Sequence, residues 1–276
     1  MRWHKKESAL QNWLADTSSH LEGRVALVTG SSGGVGFQVA GMLAARGATV
    51  VINGRGLARG EAALKDLQDL PGQVHLVTGD CIDPTEAARV VQQAAAIEGR
   101  LDILVSAGAE GSVPPKPFAE MSAQEIITAY QTRLLPRILP VHAAVPFLRR
   151  QGGSVVMLTT DAARHPTPGE SIVGAVGAGV ILMTKALAKE FSRWHIRVNS
   201  VAMTLTSDTP SWSRIFGGEA EFQQQLFAKL NDRFPGGRAP TAQEVAQVVT
   251  FLASDAAAQV TGQTVSVNGG LSFGGW

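Results

Sequence analysis

A single cysteine, Cys81, occurs among the 276 residues. No intrachain disulfide and no multi-cysteine metal site can form from it, and a reducing, cytoplasmic setting is the expectation. Charge is also scarce, at 17% of residues where a globular average is about 25%. Much of the surface is therefore expected to be covered by partner subunits. The formal net charge is +1, a balance that excludes a polybasic nucleic-acid surface or an acidic tail as a dominant feature. The six histidines show no metal-ligand spacing, so no metal is expected. No window approaches the roughly 18 consecutive apolar residues of a membrane-spanning helix. The segment Met1–Glu7 is charged and leads into no apolar run, so neither a secretory signal nor a membrane anchor is expected.

What is present is a chain that is 45% hydrophobic, enough for a full core in a single α/β domain. There are no repeats and no low-complexity linker. Residues 1–22 read as a helical extension, with Leu10, Trp13 and Leu14 at i, i+3, i+4 spacing. That extension either packs on its own domain or docks onto a partner. From there, over residues 23–276, apolar strands alternate with helical patterns. The strand candidates are Val25–Thr29, Thr49–Asn53, Val74–Thr78, Leu101–Val105, Val155–Thr159, Arg197–Val201 and Thr264–Val267. Val25-Ala26-Leu27-Val28 and Ile103-Leu104-Val105 are continuous apolar runs, as strands buried on both faces must be. Asp83-Pro84 offers an N-cap followed by proline at the first helical position. Ser122-Ala-Gln-Glu125 and Thr241-Ala-Gln-Glu244 are capping boxes. The alternation implies a Rossmann-like, doubly wound, seven-stranded parallel sheet with helices on both faces.

The first strand runs into Thr29-Gly30-Ser31-Ser32-Gly33-Gly34-Val35-Gly36, and a helix with Val35, Val39, Met42 and Leu43 on one face follows. Glycines at this junction allow a sharp turn and close approach of a ligand. The helix N-terminus then offers free N–H groups and a positive dipole to a pyrophosphate. The same turn also serves plain packing of the first helix on the sheet.

The spacing of Thr29, Gly30, Gly34 and Gly36 resembles the short-chain dehydrogenase/reductase family. The resemblance extends over roughly residues 22–276, including Val260–Gly270, which looks like the family's last strand. It implies hydride transfer between a nicotinamide and a carbonyl or alcohol carbon. It implies a cofactor site at Gly30, Ser32, Gly34, Gly36 and Asp80, the last meeting the adenine. Where NAD-using members carry an acidic residue after strand two, this chain has Gly54 followed by Arg55. An arginine there suits a 2′-phosphate, hence NADP rather than NAD; a solvated surface arginine is the equally simple reading.

The family's general acid/base is a tyrosine with a lysine four residues later, projecting from one helix face. Gly153–Thr160 resembles the strand that ends at the family's serine, and Thr184–Glu190 resembles the helix end beyond the lysine. The serine position then falls on Thr160, the tyrosine position on Val173 and the lysine position on Gly177. The single tyrosine, Tyr130, is followed four residues on by Leu134, so no Tyr-x-x-x-Lys exists anywhere. Loss of a general acid/base alone typically costs about 10²–10⁴-fold. The family's Asn-Asn-Ala-Gly is replaced by Ser106-Ala107-Gly108-Ala109, and its Pro-Gly after strand six by Met203-Thr204. The relay asparagine position falls near Tyr130–Thr132, where no asparagine stands. Pro136 and Pro140 are expected to interrupt the long helix from Ser122 to Arg149.

The resemblance thus implies a catalytically degenerate member, a pseudoenzyme with no intact catalytic residue and a vestigial NAD(P) site that holds nothing tightly. The Asp208-Thr209-Pro210 segment and the ending Gly269–Phe273 look most like acyl-CoA-linked members. Among these, the two-subunit 2-(α-hydroxybenzyl)succinyl-CoA dehydrogenases of anaerobic toluene degradation pair an active with a degenerate subunit. The expected partner is an active paralogue in a hetero-oligomer, a tetramer, acting on a hydroxyacyl-CoA-type substrate. The glycines of Val173–Val180 would let a partner helix approach. Two alternatives stay open. One is an active lyase, dehydratase or isomerase using Thr160 with Asp161 or His165; Arg164 and His142 are further polar residues near that site. The other is an NADP-binding regulator without turnover. A loop of ordinary polarity around Asp161–His165 is the simpler reading.

Overall fold

The structure, a computed structural model, describes residues 20–109, 111–217 and 232–273. The helix read over residues 1–22 lies outside them apart from residues 20–22, which are not helical: Leu21 is buried and its N–H bonds instead to the Arg46 carbonyl.

Seven strands form one parallel sheet: β1 (Val25–Thr29), β2 (Thr49–Gly54), β3 (Val74–Thr78), β4 (Ile103–Ser106), β5 (Gly153–Thr160), β6 (Ile196–Met203) and β7 (Thr264–Val267). Their order is β3-β2-β1-β4-β5-β6-β7. The doubly wound α/β sheet expected from the alternation is therefore present. The chain leaves β1 in one direction for β2 and β3 and returns to β4 on its other side. Ligands of such sheets bind in the crevice opened at that reversal, beyond the carboxyl ends of the strands.

The helices are α1 (Gly34–Ala45), α2 (Leu57–Leu67), α3 (Pro84–Ala96), α4 (Ala123–Leu148), α5 (Ser171–Phe191), α6 (Pro210–Gly217) and α7 (Ala242–Ala253). Alternate residues of β1 supply two cores. Ala26 and Val28 pack with Val39, Leu43, Leu67, Val245 and Val249 on the side of α1, α2 and α7. Val25 and Leu27 pack with Val90, Val91, Ala144, Leu148 and Val180 on the side of α3, α4 and α5. With both faces covered, all five residues of β1 are buried, which is why its sequence is a continuous apolar run. Asp102, just before β4, is buried without loss because it accepts from the Val25 N–H at 2.8 Å and from the Arg100 guanidinium at 2.6 and 2.9 Å.

Both capping boxes form, at Ser122/Glu125 and Thr241/Glu244, and Asp83 caps α3 by accepting from the Glu86 N–H at 2.8 Å. The expectation that proline would interrupt the long helix fails: α4 runs unbroken for 26 residues with Pro136, Pro140 and Pro146 inside it. At Pro140 the physical reason is a tertiary contact. Pro140 frees the carbonyl of Pro136, and the Ser106 hydroxyl, at the end of β4, is positioned to donate to it at 3.4 Å and to the Arg137 carbonyl at 2.8 Å. Replacement partners of this kind let a helix carry proline without ending.

A second correction concerns α5. By length and apolarity alone, Ser171–Trp194 could cross a membrane, with a mean hydropathy of 1.8. Here it packs on the sheet, burying Ile172, Val176, Val180, Ile181 and Ala188. A third concerns its glycines. Gly174 and Gly177 face the chain's own β5–α5 turn rather than an open surface. A Cβ on Gly174 would lie 2.6 Å from the Ala162 carbonyl oxygen. The outward face is Ala175, Ala178, Gly179 and Leu182, all exposed.

Candidate active site

A cleft of about 1250 Å³ opens at the sheet's point of reversal. Its floor is the turn after β1. Gly30 has φ +65° and Gly34 φ +58°, conformations that side chains disfavour. A Cβ on Gly30 would stand 2.7 Å from the Cα of Gly108, and one on Gly36 2.5 Å from the Gly30 carbonyl oxygen. Ser31 holds the turn to the sheet: its hydroxyl donates to the Val28 carbonyl at 2.6 Å and accepts from the Asn53 N–H at 2.9 Å. Thr209 and Pro210, at the start of α6, form the roof; a Cβ on Gly34 would be 3.2 Å from Pro210 Cδ.

The proposed dinucleotide residues are brought together. Gly30, Ser32, Gly34, Gly36, Arg55 and Asp80 line one end of the cleft. Arg55 and Asp80 face each other at 3.9 Å, and both are nearly half exposed. Asp80 also accepts from the Ile82 N–H at 3.1 Å. Arg59 lines the same end and adds a second cation. Beneath it, burial pushes the Cys81 thiol up to about 12, with the charges of Asp80 and Glu86 adding to the effect. The adenosine half of NAD(P) fits this end by shape, since the glycine turn leaves room beside the α1 N-terminus. Gly30, Ser32, Gly34 and Gly36 would hold the phosphates, and Asp80 and Arg55 the adenosine.

The other end differs. Val173 lines the cleft where the family's tyrosine is expected, with Thr160, Ala107, Met203 and Thr204 around it. Gly177 stands one turn further along α5. A Cβ built on it would lie 2.5 Å from Thr160 Cγ2 and 2.9 Å from Ala163 Cβ. The space of a longer side chain is therefore filled by the methyl of Thr160 and by the short 3-10 turn that follows. The Thr29 hydroxyl, buried beside Gly108, has no partner. Tyr130 is exposed on α4, outside the cleft lining, and the Thr132 hydroxyl donates within its own helix to the Thr128 carbonyl at 2.8 Å.

The set Thr160, Asp161 and His165 is not assembled as an acid/base group. Thr160 caps the turn, accepting from the Ala162 N–H at 3.2 Å. Asp161 is buried and engaged by the Asn268 amide at 3.2 Å and by the Ser272 hydroxyl. Arg164 straps the loop to β7 through Ser266 and the Thr264 carbonyl, each at 2.8 Å. His165 is an exposed residue at the cleft mouth, and His142 is exposed on α4 outside the cleft lining.

Sequence reasoning missed three residues that the fold gathers here. Arg133 and Arg137 project from one side of α4, and Glu170 precedes α5; all three line the cleft with Arg214 of α6. No arginine cluster was expected from the sequence. Burial lowers Arg137 to about 10, with Arg133 beside it adding to the effect. Burial also lowers Arg133, partly offset by Glu170, and raises Glu170, partly offset by Arg133. The i, i+4 spacing of the two arginines was the one available signal.

Known proteins bear on this geometry. Residues 30–272 match the family described as enoyl-(acyl carrier protein) reductase. A 3-oxoacyl-[acyl-carrier-protein] reductase of Thermotoga maritima is 31% identical over 91% of this chain and 98% of its own. The 1-cyclohexenylcarbonyl-CoA reductase of Streptomyces collinus is 31% identical over 91% of this chain and 87% of its own. A short-chain oxidoreductase from Pseudomonas aeruginosa PAO1, described as containing an atypical catalytic center, superposes with a TM-score of 0.83 at 30% identity, covering 92% of this chain and 98% of that one. The sheet order, the glycine turn and these likenesses over nine-tenths of the chain agree: the protein is a member of the short-chain dehydrogenase/reductase family of oxidoreductases, which normally bind NAD(P).

Proposed function

We propose that this chain is a non-catalytic subunit of an NAD(P)-dependent short-chain dehydrogenase assembly. It acts through an active paralogue in a hetero-oligomer, a tetramer, on a hydroxyacyl-CoA-type substrate in a reducing, cytoplasmic setting. The observation that carries this reading is the closed space at Gly177, where a Cβ would be 2.5 Å from Thr160. A valine at 173 can neither give nor take a proton, and no lysine has room to orient a ribose. The adenosine end keeps its shape, so a vestigial NADP site, weak in affinity, belongs to the same reading. The acyl-CoA preference draws on the likeness to the Streptomyces collinus reductase, whose name carries a CoA thioester. The degenerate subunit of a 2-(α-hydroxybenzyl)succinyl-CoA dehydrogenase is the most specific form of the proposal. The assembly draws on the exposed Ala175, Ala178, Gly179 and Leu182 of α5 and Ile127 and Tyr130 of α4, an apolar face that a partner helix pair would cover.

A second reading has one observation in its favour: the Pseudomonas aeruginosa relative is described as having an atypical catalytic center. In that case the buried Glu170, raised by desolvation within the cleft, is the acid to consider. One experiment separates the two. The chain is purified from its native host, its companion sequenced, and each tested alone for nicotinamide turnover. The expected result is a companion with an intact Tyr-x-x-x-Lys and turnover only where it is present. Turnover by this chain alone, lost in Glu170→Gln, would establish the second reading instead.

A further inference from the structure

We infer that the inner end of the cleft is an oxyanion site in which Arg137 and Arg133 bind a carboxylate or phosphoryl group of a small ligand. The two side chains leave α4 one turn apart and line the same cavity. Among the described residues Arg137 makes one side-chain bond, to the Arg133 carbonyl, and its enclosed Nε has no partner. Arg133 donates to the Val113 carbonyl at 2.7 Å. Neither guanidinium makes an ion pair among the described residues. Arg214 enters the same cavity from α6 and adds a third positive charge close enough to disfavour Arg133.

Like charges one helical turn apart repel, and an enclosed guanidinium donor without an acceptor is costly. Packing alone would favour apolar side chains at both positions. The carboxyl near Arg133, Glu170, is not within ion-pair distance, and its own burial favours its neutral form. Asp161, the other acid of this end, is already committed to Asn268 and Ser272. Among the described residues the inner cavity wall therefore carries three guanidiniums, two of them on α4 without an ion pair, against one uncommitted carboxyl, Glu170, whose burial favours its neutral form. A planar or tetrahedral oxyanion answers that charge, because the outer nitrogens of a guanidinium pair with either through N–H···O bonds. This site is separate from the Arg55/Asp80 end, and it binds its ligand whether or not the chain turns anything over.

The test is calorimetric titration of the full chain at fixed ionic strength with succinate and, separately, with inorganic phosphate. Wild type is compared with Arg137→Met, Arg137→Lys and Arg133→Met, and with Arg55→Ala as the control at the far end. At least one anion is expected to bind, to weaken about tenfold or more in Arg137→Met, to recover in part in Arg137→Lys, and to lose less in Arg55→Ala than in Arg137→Met. Dependence of succinate binding on Arg137 identifies an organic acid; dependence of phosphate binding on Arg137 identifies a phosphoryl group. If neither anion binds, or if binding is indifferent to Arg137 and Arg133, the inference is overturned. Should Arg137→Met fail to fold, Arg133→Met and Arg137→Lys carry the same comparison.

Discussion

The two ends of the cleft have responded differently to the same fold. At the adenosine end, Gly30 and Gly36 leave no room for a Cβ, and what crowds them is backbone: Gly108 Cα and the Gly30 carbonyl. At the inner end, Gly177 also leaves no room, but there the crowding atoms are side chains, Thr160 Cγ2 and Ala163 Cβ. Backbone crowding is imposed by how α1 and β4 meet the sheet. Side-chain crowding is a choice made at individual positions. The glycine turn is therefore demanded by the fold itself, whereas the crowding at Gly177 rests on two side chains, those of Thr160 and Ala163.

Breaking the first region should cost most. Gly30→Ala places a methyl in a left-handed conformation and against immovable backbone, an expected loss of about 2–5 kcal/mol. Thermal unfolding should show a fall in Tm on the order of 10 °C. A change of less than a degree would mean that the turn relaxes more freely than its contacts imply.

The inner end should give way more cheaply. Gly177→Ala is expected to cost about 1–3 kcal/mol by overpacking. Thr160→Ser in the same chain should recover part of that loss, since it deletes the methyl at 2.5 Å. Urea denaturation of the single and double variants measures the coupling. If the two changes are simply additive, Thr160 does not fill the lysine space. Val173→Tyr with Gly177→Lys should likewise restore no turnover, because the space must be reopened first.

The halves can also be weighed by their ligands. NADP is expected to bind with a dissociation constant weaker than about 10 μM, equivalent to roughly 7 kcal/mol. The adenosine fragment 2′,5′-ADP should bind within about threefold of it, because the inner end adds little. Calorimetry that finds NADP far tighter than the fragment would show an intact nicotinamide half.

The smallest effect concerns pH. Glu244 is held at about 2, first by the Arg238 guanidinium and then by the Thr241 N–H. Glu125 is also held at about 2, first by the Lys116 ammonium and then by Ser122. Both carboxyls titrate lower in the fold than in the unfolded chain, so their contribution is complete above about pH 4.5 and fades as pH falls toward 2. Both ion pairs are substantially solvated, so the slope should be shallow. Replacing each glutamate by glutamine should flatten the acid limb of stability against pH, and an unchanged limb would show that neither box contributes.

Much of this could be read before any coordinates. The strand order along the chain, both capping boxes and the glycine turn are local: each depends on neighbours within a few residues, and each formed, although β4 starts at Ile103 rather than Leu101 and β5 and β6 run longer than expected. The loss of Tyr-x-x-x-Lys is local too, since one tyrosine without a lysine four residues on settles it. The continuity of α4 past Pro140 was not legible, because the donor to the carbonyl that proline frees, Ser106, comes from a strand 30 residues away in sequence. Nor was the orientation of the α5 glycines. Composition says that a backbone can approach there; only packing says that the approaching backbone is Ala162 of the same chain. The meeting of Arg133, Arg137, Glu170 and Arg214 required three separate segments to converge on one cavity. Sequence alone determined the sheet, the turns and the absence of a Tyr-x-x-x-Lys, because hydrogen bonding, periodicity and spacing act over short spans. The tertiary structure decided which buried charges are left without partners, because desolvation and pairing depend on every element that closes around a group.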